Sequence, residues 1–199
     1  VGLFQQPVNV LAKENQAMNL AERWKRIRSK TIGSFRIFNI REDRYQLPRN
    51  LREAPFYILE SHDWVNVIPL TEEGEIILIR QFRFGIEKVT LEIPGGIVEP
   101  GYTPLAAGQK ELLEETGCKS DQWEYLGFVH PNPAFLNNRC HSFLARGVKK
   151  IAEITPEESE EIEVLQCPFP EIKDLIAKGS ITHSLVICAF HLYQIKGSL

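Results

Sequence analysis

The chain has 199 residues, 43% hydrophobic and 25% charged, which is close to the globular average and long enough for one large domain or a domain with a small appendage. Its net charge of -3 argues against a duplex nucleic-acid binder that relies on a basic surface, so a nucleic-acid partner is not expected. Cys118, Cys140, Cys167 and Cys188 form no C-x-x-C pair, which excludes a zinc ribbon of the usual spacing and a disulfide framework; buried thiols in a reducing compartment are expected.

No apolar run approaches the ~20 residues of a membrane span, and the N-terminus lacks the basic-then-apolar order of a signal peptide. A soluble, cytoplasmic protein with no membrane partner is therefore expected. Val1 to Gln16 has no clear period. Ala17 to Lys30 reads as a short helix, with Asn19 as N-cap and Leu20, Trp24 and Ile27 at i, i+4, i+7. Lys25, Arg26, Arg28 and Lys30 would be its wet side, with phosphate contact as the lesser alternative. Ser34 to Tyr45 reads as a strand turning at Glu42-Asp43. Phe35 or Phe38 in it would either join a core or stack on a base. Pro55 to Glu60 and Trp64 to Pro69 read as two further strands, and Leu70 to Gly74 as a turn. A soft boundary near Ser61-His62 divides the chain into 1-62 and 63-199.

Glu75 to Phe84 reads as a long strand with a buried first half. Its second half sets Arg80, Phe82 and Phe84 against Gln81 and Arg83. A strand-like LEIP leads into Gly95-Gly96, and a helix follows. Thr103 is its N-cap, Pro104 takes N1 and Gly117 takes the left-handed C′ position. Leu105, Leu112 and Thr116 are expected to face the sheet. Gly108, costly in mid-helix, is explained by close helix-to-sheet packing. Strands at Trp123 to Val129 and Arg139 to Ala145 flank the loop HPNPAFLNN, an ordinary turn or a substrate-facing loop. The acidic TPEESEE of Thr155 to Glu161 precedes a last strand, Ile162 to Pro168. A short helix at Pro170 to Lys178, ended by Gly179, and a closing helix at His183 to Ile195 complete the chain. Leu185, Cys188, Ala189 and Leu192 would face inward.

One placement stands out. Glu111, Glu114 and Glu115 lie at i, i+3, i+4 on the helix after Gly95-Gly96. Like charges at that spacing cost an isolated helix a few tenths of a kcal/mol per pair, and the C-terminal end of the macrodipole disfavours anions. A solvated acidic face is the plain alternative. A bound cation would favour the placement, because a Gly-Gly turn lets backbone carbonyls approach a ligand from the other side.

At these residues the chain resembles the Nudix family, whose box runs G-x5-E-x7-R-E-U-x-E-E-x-G-U. Gly96, Glu111, Leu112, Glu114, Glu115 and Gly117 stand at the family's spacing. Tyr102 replaces the loop Glu, Lys110 replaces the Arg and Cys118 replaces an aliphatic residue. Lys110 keeps the charge but loses the planar fork of Arg. The resemblance implies an α+β fold, the family's α/β/α sandwich with a mixed sheet, preceded here by a small antiparallel β subdomain at 1-62.

The resemblance also implies chemistry: hydrolysis of a nucleoside diphosphate derivative, with Mg2+ as cofactor and Mn2+ as a substitute. It makes Glu111 and Glu115 the main metal ligands, with Glu114 assisting and the Gly95 carbonyl completing the set; Glu115 also counts among the catalytic groups. The N-terminal extension resembles that of the ADP-ribose pyrophosphatases, which implies a homodimer and a nucleoside diphosphate sugar as substrate. Hydrolysis of a dinucleotide, CoA or a capped RNA end stays open, as does a non-catalytic nucleotide-sugar binder. In that branch a Glu on the acidic loop is the general base, which points to Glu158 and then Glu160. Arg80 and Arg83 are candidates for the substrate phosphates, since Arg suits bidentate phosphate contact. Glu92 and Gly96 would line the same pocket, Glu92 either orienting a ligand or binding an Arg.

Overall fold

The computed structural model describes residues 20–156 and 158–197. The reading of Val1 to Gln16 and the Asn19 cap fall outside them. The chain divides into two compact units after Glu60.

The first unit is a three-stranded antiparallel sheet of β1 (Lys25–Ser34), β2 (Asn39–Gln46) and β3 (Glu53–Glu60) in that order. The helix expected over 17–30 is corrected: only 20–22 are helical among the described residues, and from Lys25 the chain is strand. Ile27, Thr31 and Ile32 are β-branched, and pairing along β2 outweighs a short amphipathic pattern. The turn expected at Glu42-Asp43 is also corrected. The chain reverses at 35–38, where Phe35 N–H donates to the Phe38 carbonyl at 2.9 Å. Asp43 lies in mid-strand and is buried, accepting from Ser29 Oγ at 2.6 Å and from Arg41 Nε and Nη2 at 3.0 and 2.9 Å. Those bonds satisfy a carboxylate that burial alone would penalise. Phe35 is exposed and packs beside Phe38, with ring centroids 5.2 Å apart, and over Gly33 rather than in a buried core. Trp24, Tyr45 and Phe56 meet edge to face.

The second unit is built on a seven-stranded mixed sheet. Its main order is β12 (Glu163–Pro168), β5 (Glu75–Arg83), β4 (Trp64–Leu70), β10 (Cys140–Arg146), β9 (Gln122–Val129). β6 (Lys88–Glu92) pairs with β5, and β7 (Gly95–Ile97) pairs with β4. Only β4 and β10 run parallel among these pairs. A small ladder joins β8 (Cys118–Lys119) to β11 (Lys149–Lys150).

Alternation along the strands makes two faces. Val65, Val67, Ile77, Phe143 and Ala145 pack against α1 (Pro104–Thr116) through Ala107 and Leu112. Ile68, Ile76, Leu78 and Leu144 pack against α2 (Ile172–Ala177) and α3 (Ser184–Gly197) through Ile172, Val186, Ala189 and Phe190. The result is the expected α/β/α sandwich with a mixed sheet. Cys118 and Cys140 are buried, Cys167 and Cys188 half-buried, and all four are free thiols. Burial pushes the Cys140 thiol up to about 12.

α1 has the caps its sequence dictates. Thr103 Oγ1 accepts from Ala106 N–H at 3.1 Å, and Gly117, at φ 70°, donates to the Leu113 carbonyl. A side chain on Gly108 would meet Val67 and Val65 methyls at 3.1 and 3.2 Å, so the missing Cβ sets the helix-to-sheet distance. Leu105 is a correction: it is exposed, because the packed face begins only at Ala107 and the first turn stands clear of it. In the loop 130–138 Asn132 makes the turn, its Oδ1 accepting from Ala134 N–H and its carbonyl from Leu136 N–H.

Candidate active site

β7 and α1 meet at two glycines. Gly95 N–H donates to Glu115 Oε2 at 2.9 Å. A Cβ on Gly95 would stand 2.2 Å from the Val65 carbonyl oxygen, and one on Gly96 2.3 Å from Glu111 Oε1. Gly95 thus lets β7 lie close against β4, and Gly96 leaves room for the Glu111 carboxylate.

Glu115 is 2% exposed. Burial pushes its carboxyl well above the usual range, and the charges of Glu111 and Glu160 push the same way; the Gly95 N–H and Arg83 pull against them. Glu114 is drawn aside instead. Lys110 Nζ lies 3.6 Å from Glu114 Oε2 and 3.6 Å from Glu99 Oε1. Burial weighs against that ammonium, yet the carboxylates of Glu114, Glu99 and Glu111 hold its pKa above the usual value. Lys110 thus braces a box glutamate as a point charge.

The next layer is an arginine on a buried carboxylate. Arg83 Nε and Nη2 donate to Glu92 Oε1 and Oε2 at 2.8 and 2.6 Å, a bidentate fork, and Thr90 Oγ1 donates to Oε1 at 2.5 Å. Glu92 is 2% exposed. Its burial favours the neutral acid, but the hydrogen bond and charge of Arg83 and the Thr90 hydroxyl outweigh that and hold the carboxyl below the usual range. Of the two roles open for Glu92, binding an arginine is the one seen. His183 Nε2 stands 4.0 Å from Glu92 Oε2. Arg83 lies within electrostatic reach of both Glu115 and Glu160.

Two expected residues stand elsewhere. Arg80 points to the opposite face of β5 from Arg83 and pairs at 3.1 Å with Glu163, both side chains exposed. Glu158 is exposed in a turn, whereas Glu160 is half-buried and its charge acts on Glu115 and Arg83. The acidic loop is tied to the end of α1: Thr155 N–H donates to the Glu114 carbonyl and Ile151 N–H to that of Gly117. The structure thus brings together Gly95, Gly96, Glu111, Glu115, Glu160, Arg83 and Glu92. Thr90 and His183 also stand against Glu92, and the sequence reading includes neither. The alternation of β6 would have found Thr90 beside Glu92. A histidine at a helix start carries no such signal.

Among the described residues no three acidic or imidazole side chains already form a closed metal cage. Magnesium does not require one, since it keeps several waters and takes one or two carboxylates. A buried carboxylate pressed by two further acids, beside a backbone strand stripped of Cβ atoms, fits a hydrated divalent cation.

Residues 60–190 match the NUDIX domain. The chain is 29% identical over 176 residues to a methanol dehydrogenase activator of Bacillus methanolicus, covering 88% of this chain and 95% of that one. It is 27% identical over 176 residues to an ADP-ribose pyrophosphatase of Bacillus subtilis, with the same coverage of 88% and 95%. A crystal structure of an ADP compounds hydrolase shares the fold, with a TM-score of 0.76 at 19% identity over 88% of this chain and 95% of that chain. The chain belongs to the Nudix family. Its relatives include several pyrophosphatases, and it is a Nudix pyrophosphohydrolase. No helix among the described residues is long and apolar enough to cross a membrane.

Proposed function

We propose that the protein hydrolyses the pyrophosphate bond of ADP-ribose or a related nucleoside diphosphate sugar, with Mg2+ as the working ion and Mn2+ as a substitute. The observation that carries this is the seat of Glu115 on the Gly95 N–H, with Glu111 over Gly96 and Arg83 within electrostatic reach. The ADP-ribose and GDP-mannose pyrophosphatases among the relatives support the substrate class.

Glu111 and Glu115 would hold the ion with the Gly95 carbonyl, and Glu114, kept by Lys110, would assist through water. Bound there, the ion supplies charge neutralisation at the phosphates and a more acidic water. The bidentate pair with Glu92 uses two of the five guanidinium donors of Arg83, leaving the rest for a phosphate oxygen. Glu160 takes the proton of the attacking water as the P–O bridge breaks, giving a nucleoside monophosphate and a sugar phosphate. Glu160 fits this role better than Glu158 because its charge reaches Glu115 and Arg83. Gly96 lets the ligand approach the backbone. Arg80, committed to Glu163, is given no part.

We also infer a homodimer in the cytoplasm. Trp24, Ile27 and Ile32 are exposed apolar side chains of the first unit, and a second copy would cover them. Size-exclusion chromatography with light scattering at micromolar concentration tests it, and a monomer there removes the proposal. For the activity, phosphate release from ADP-ribose after coupling to a phosphatase is measured with and without Mg2+. Metal-dependent release supports hydrolysis; tight binding of ADP-ribose without release would make the protein a binder.

A further inference from the structure

His183 lies one residue before α3, and its ring does two things at once. Nδ1 accepts the N–H of Leu185 at 3.3 Å, while its own carbonyl accepts from Ile187 N–H at 3.1 Å, so the imidazole caps the helix as an Asn or Asp side chain would. An Nδ1 that accepts carries no proton, so the neutral ring bears its proton on Nε2. A charged ring would lose the cap and set a cation at the positive end of the helix. Burial disfavours that charge too, and so does Arg83, against the pull of Glu92.

The Nε2–H therefore stands on the side of Glu92, 4.0 Å from Oε2. The two carboxylate oxygens are unequally served. Oε1 takes Arg83 Nε and Thr90 Oγ1; Oε2 takes Arg83 Nη2 at 2.6 Å and has the imidazole close by. Glu92 is buried, so any weakening of its bond to Arg83 leaves a charge short of donors in low dielectric. An anionic substrate oxygen that draws on the same guanidinium would do that. Closing about 1 Å brings Nε2 to hydrogen-bond distance of Oε2.

We propose that His183 is a positioning residue for Arg83: it shares the Glu92 carboxylate and closes on Oε2 when Arg83 turns donors to a phosphate oxygen of the substrate. It rests on the phosphate role given to Arg83 above. Nothing in the box or in the acidic loop contains this residue.

Two substitutions separate the helix cap from the site. In His183→Asn the side-chain oxygen can still cap α3, but the amide is too short to reach Glu92. In His183→Gln the terminal amide nitrogen takes the place of Nε2, while the cap is weakened. With ADP-ribose as substrate, His183→Asn is expected to keep the wild-type Tm, raise KM about tenfold and change kcat less than about threefold. Tenfold is the lower end of what a hydrogen bond to a charged group is worth. His183→Gln is expected to lower Tm by a few degrees and recover most of the KM. In an Arg83→Ala background, His183→Asn should change KM no further.

Three results would overturn the proposal. They are a wild-type KM in His183→Asn, a KM in His183→Gln as poor as that of His183→Asn, and an undiminished effect in the Arg83→Ala background. If the wild type cleaves no diphosphate, the activity falls separately. The same ratios are then read as Kd for ADP-ribose by calorimetry, and absence of binding removes this inference as well.

Discussion

Gly96→Ala separates the chemistry of the site from the stability of the fold. The added Cβ would sit 2.3 Å from Glu111 Oε1 and 2.7 Å from its Cδ. Either contact is about 1 Å too close, so the carboxylate must swing away. The obstacle is the far end of a flexible side chain, and an off-rotamer glutamate costs roughly 0.5–1.5 kcal/mol. Tm should fall by a few degrees at most. Activity should suffer far more, since a misplacement of about 1 Å at a catalytic site can cost about 100-fold. Steady-state hydrolysis of ADP-ribose across a Mg2+ titration, with a thermal melt on the same sample, checks both. The expected outcome is kcat/KM down by about 100-fold and half-maximal activity at higher Mg2+. An unchanged Mg2+ response with full turnover would refute the placing of Glu111 as a metal ligand. A large fall in Tm would refute the claim that only a side chain is disturbed.

Gly95→Ala should behave in the opposite way. Its Cβ would meet the Val65 backbone oxygen at 2.2 Å, which cannot turn aside, so a loss of about 2 kcal/mol or more in a urea melt is expected, at the upper part of overpacking costs. Glu160→Gln should lower kcat by at least about 100-fold with Mg2+ dependence retained, while Glu158→Gln stays within about threefold of wild type. Single-turnover rates on the two variants give the comparison, and the reverse order would return the base to Glu158. Burial raises the carboxyl pKa of Asp43, but hydrogen bonds from Ser29 and Arg41 and the charges of Arg41 and Arg26 outweigh it, and the net value is lowered. A lowered folded value means the stabilisation is complete above about pH 4 and is lost as pH falls through the folded value. Hydrogen exchange over 25–60 should accelerate there, and Asp43→Asn should show at neutral pH much of the protection loss that acid causes in the wild type.

The sequence was most legible where local chemistry is self-contained. The Thr103 cap, the Gly117 stop and the close packing at Gly108 need only the helix and its neighbour strand, and each is found where composition put it. It was least legible where tertiary pairing overrides local pattern. Leu20, Trp24 and Ile27 have helical spacing, yet from Lys25 onward the chain pairs with β2. At the candidate site, the box glycines and glutamates have fixed spacing, so they can be read from the sequence as a set. Which arginine stands beside Glu92 depends on strand parity, and parity separates Arg80 from Arg83. The division between Glu158 and Glu160 depends on how a loop of 155–162 leaves the end of α1, which no spacing encodes. His183 reaches Glu92 across 91 positions of sequence, through the packing of α3 on the sheet.

Product identity tests the central claim most directly. Purified protein is incubated with ADP-ribose and Mg2+, and the products are separated by anion-exchange chromatography. Cleavage of the pyrophosphate bridge gives AMP and ribose 5-phosphate in equal amounts, absent without the metal and absent in Glu115→Gln. Release of ADP, or no cleavage of ADP-ribose or any other nucleoside diphosphate sugar, would contradict it.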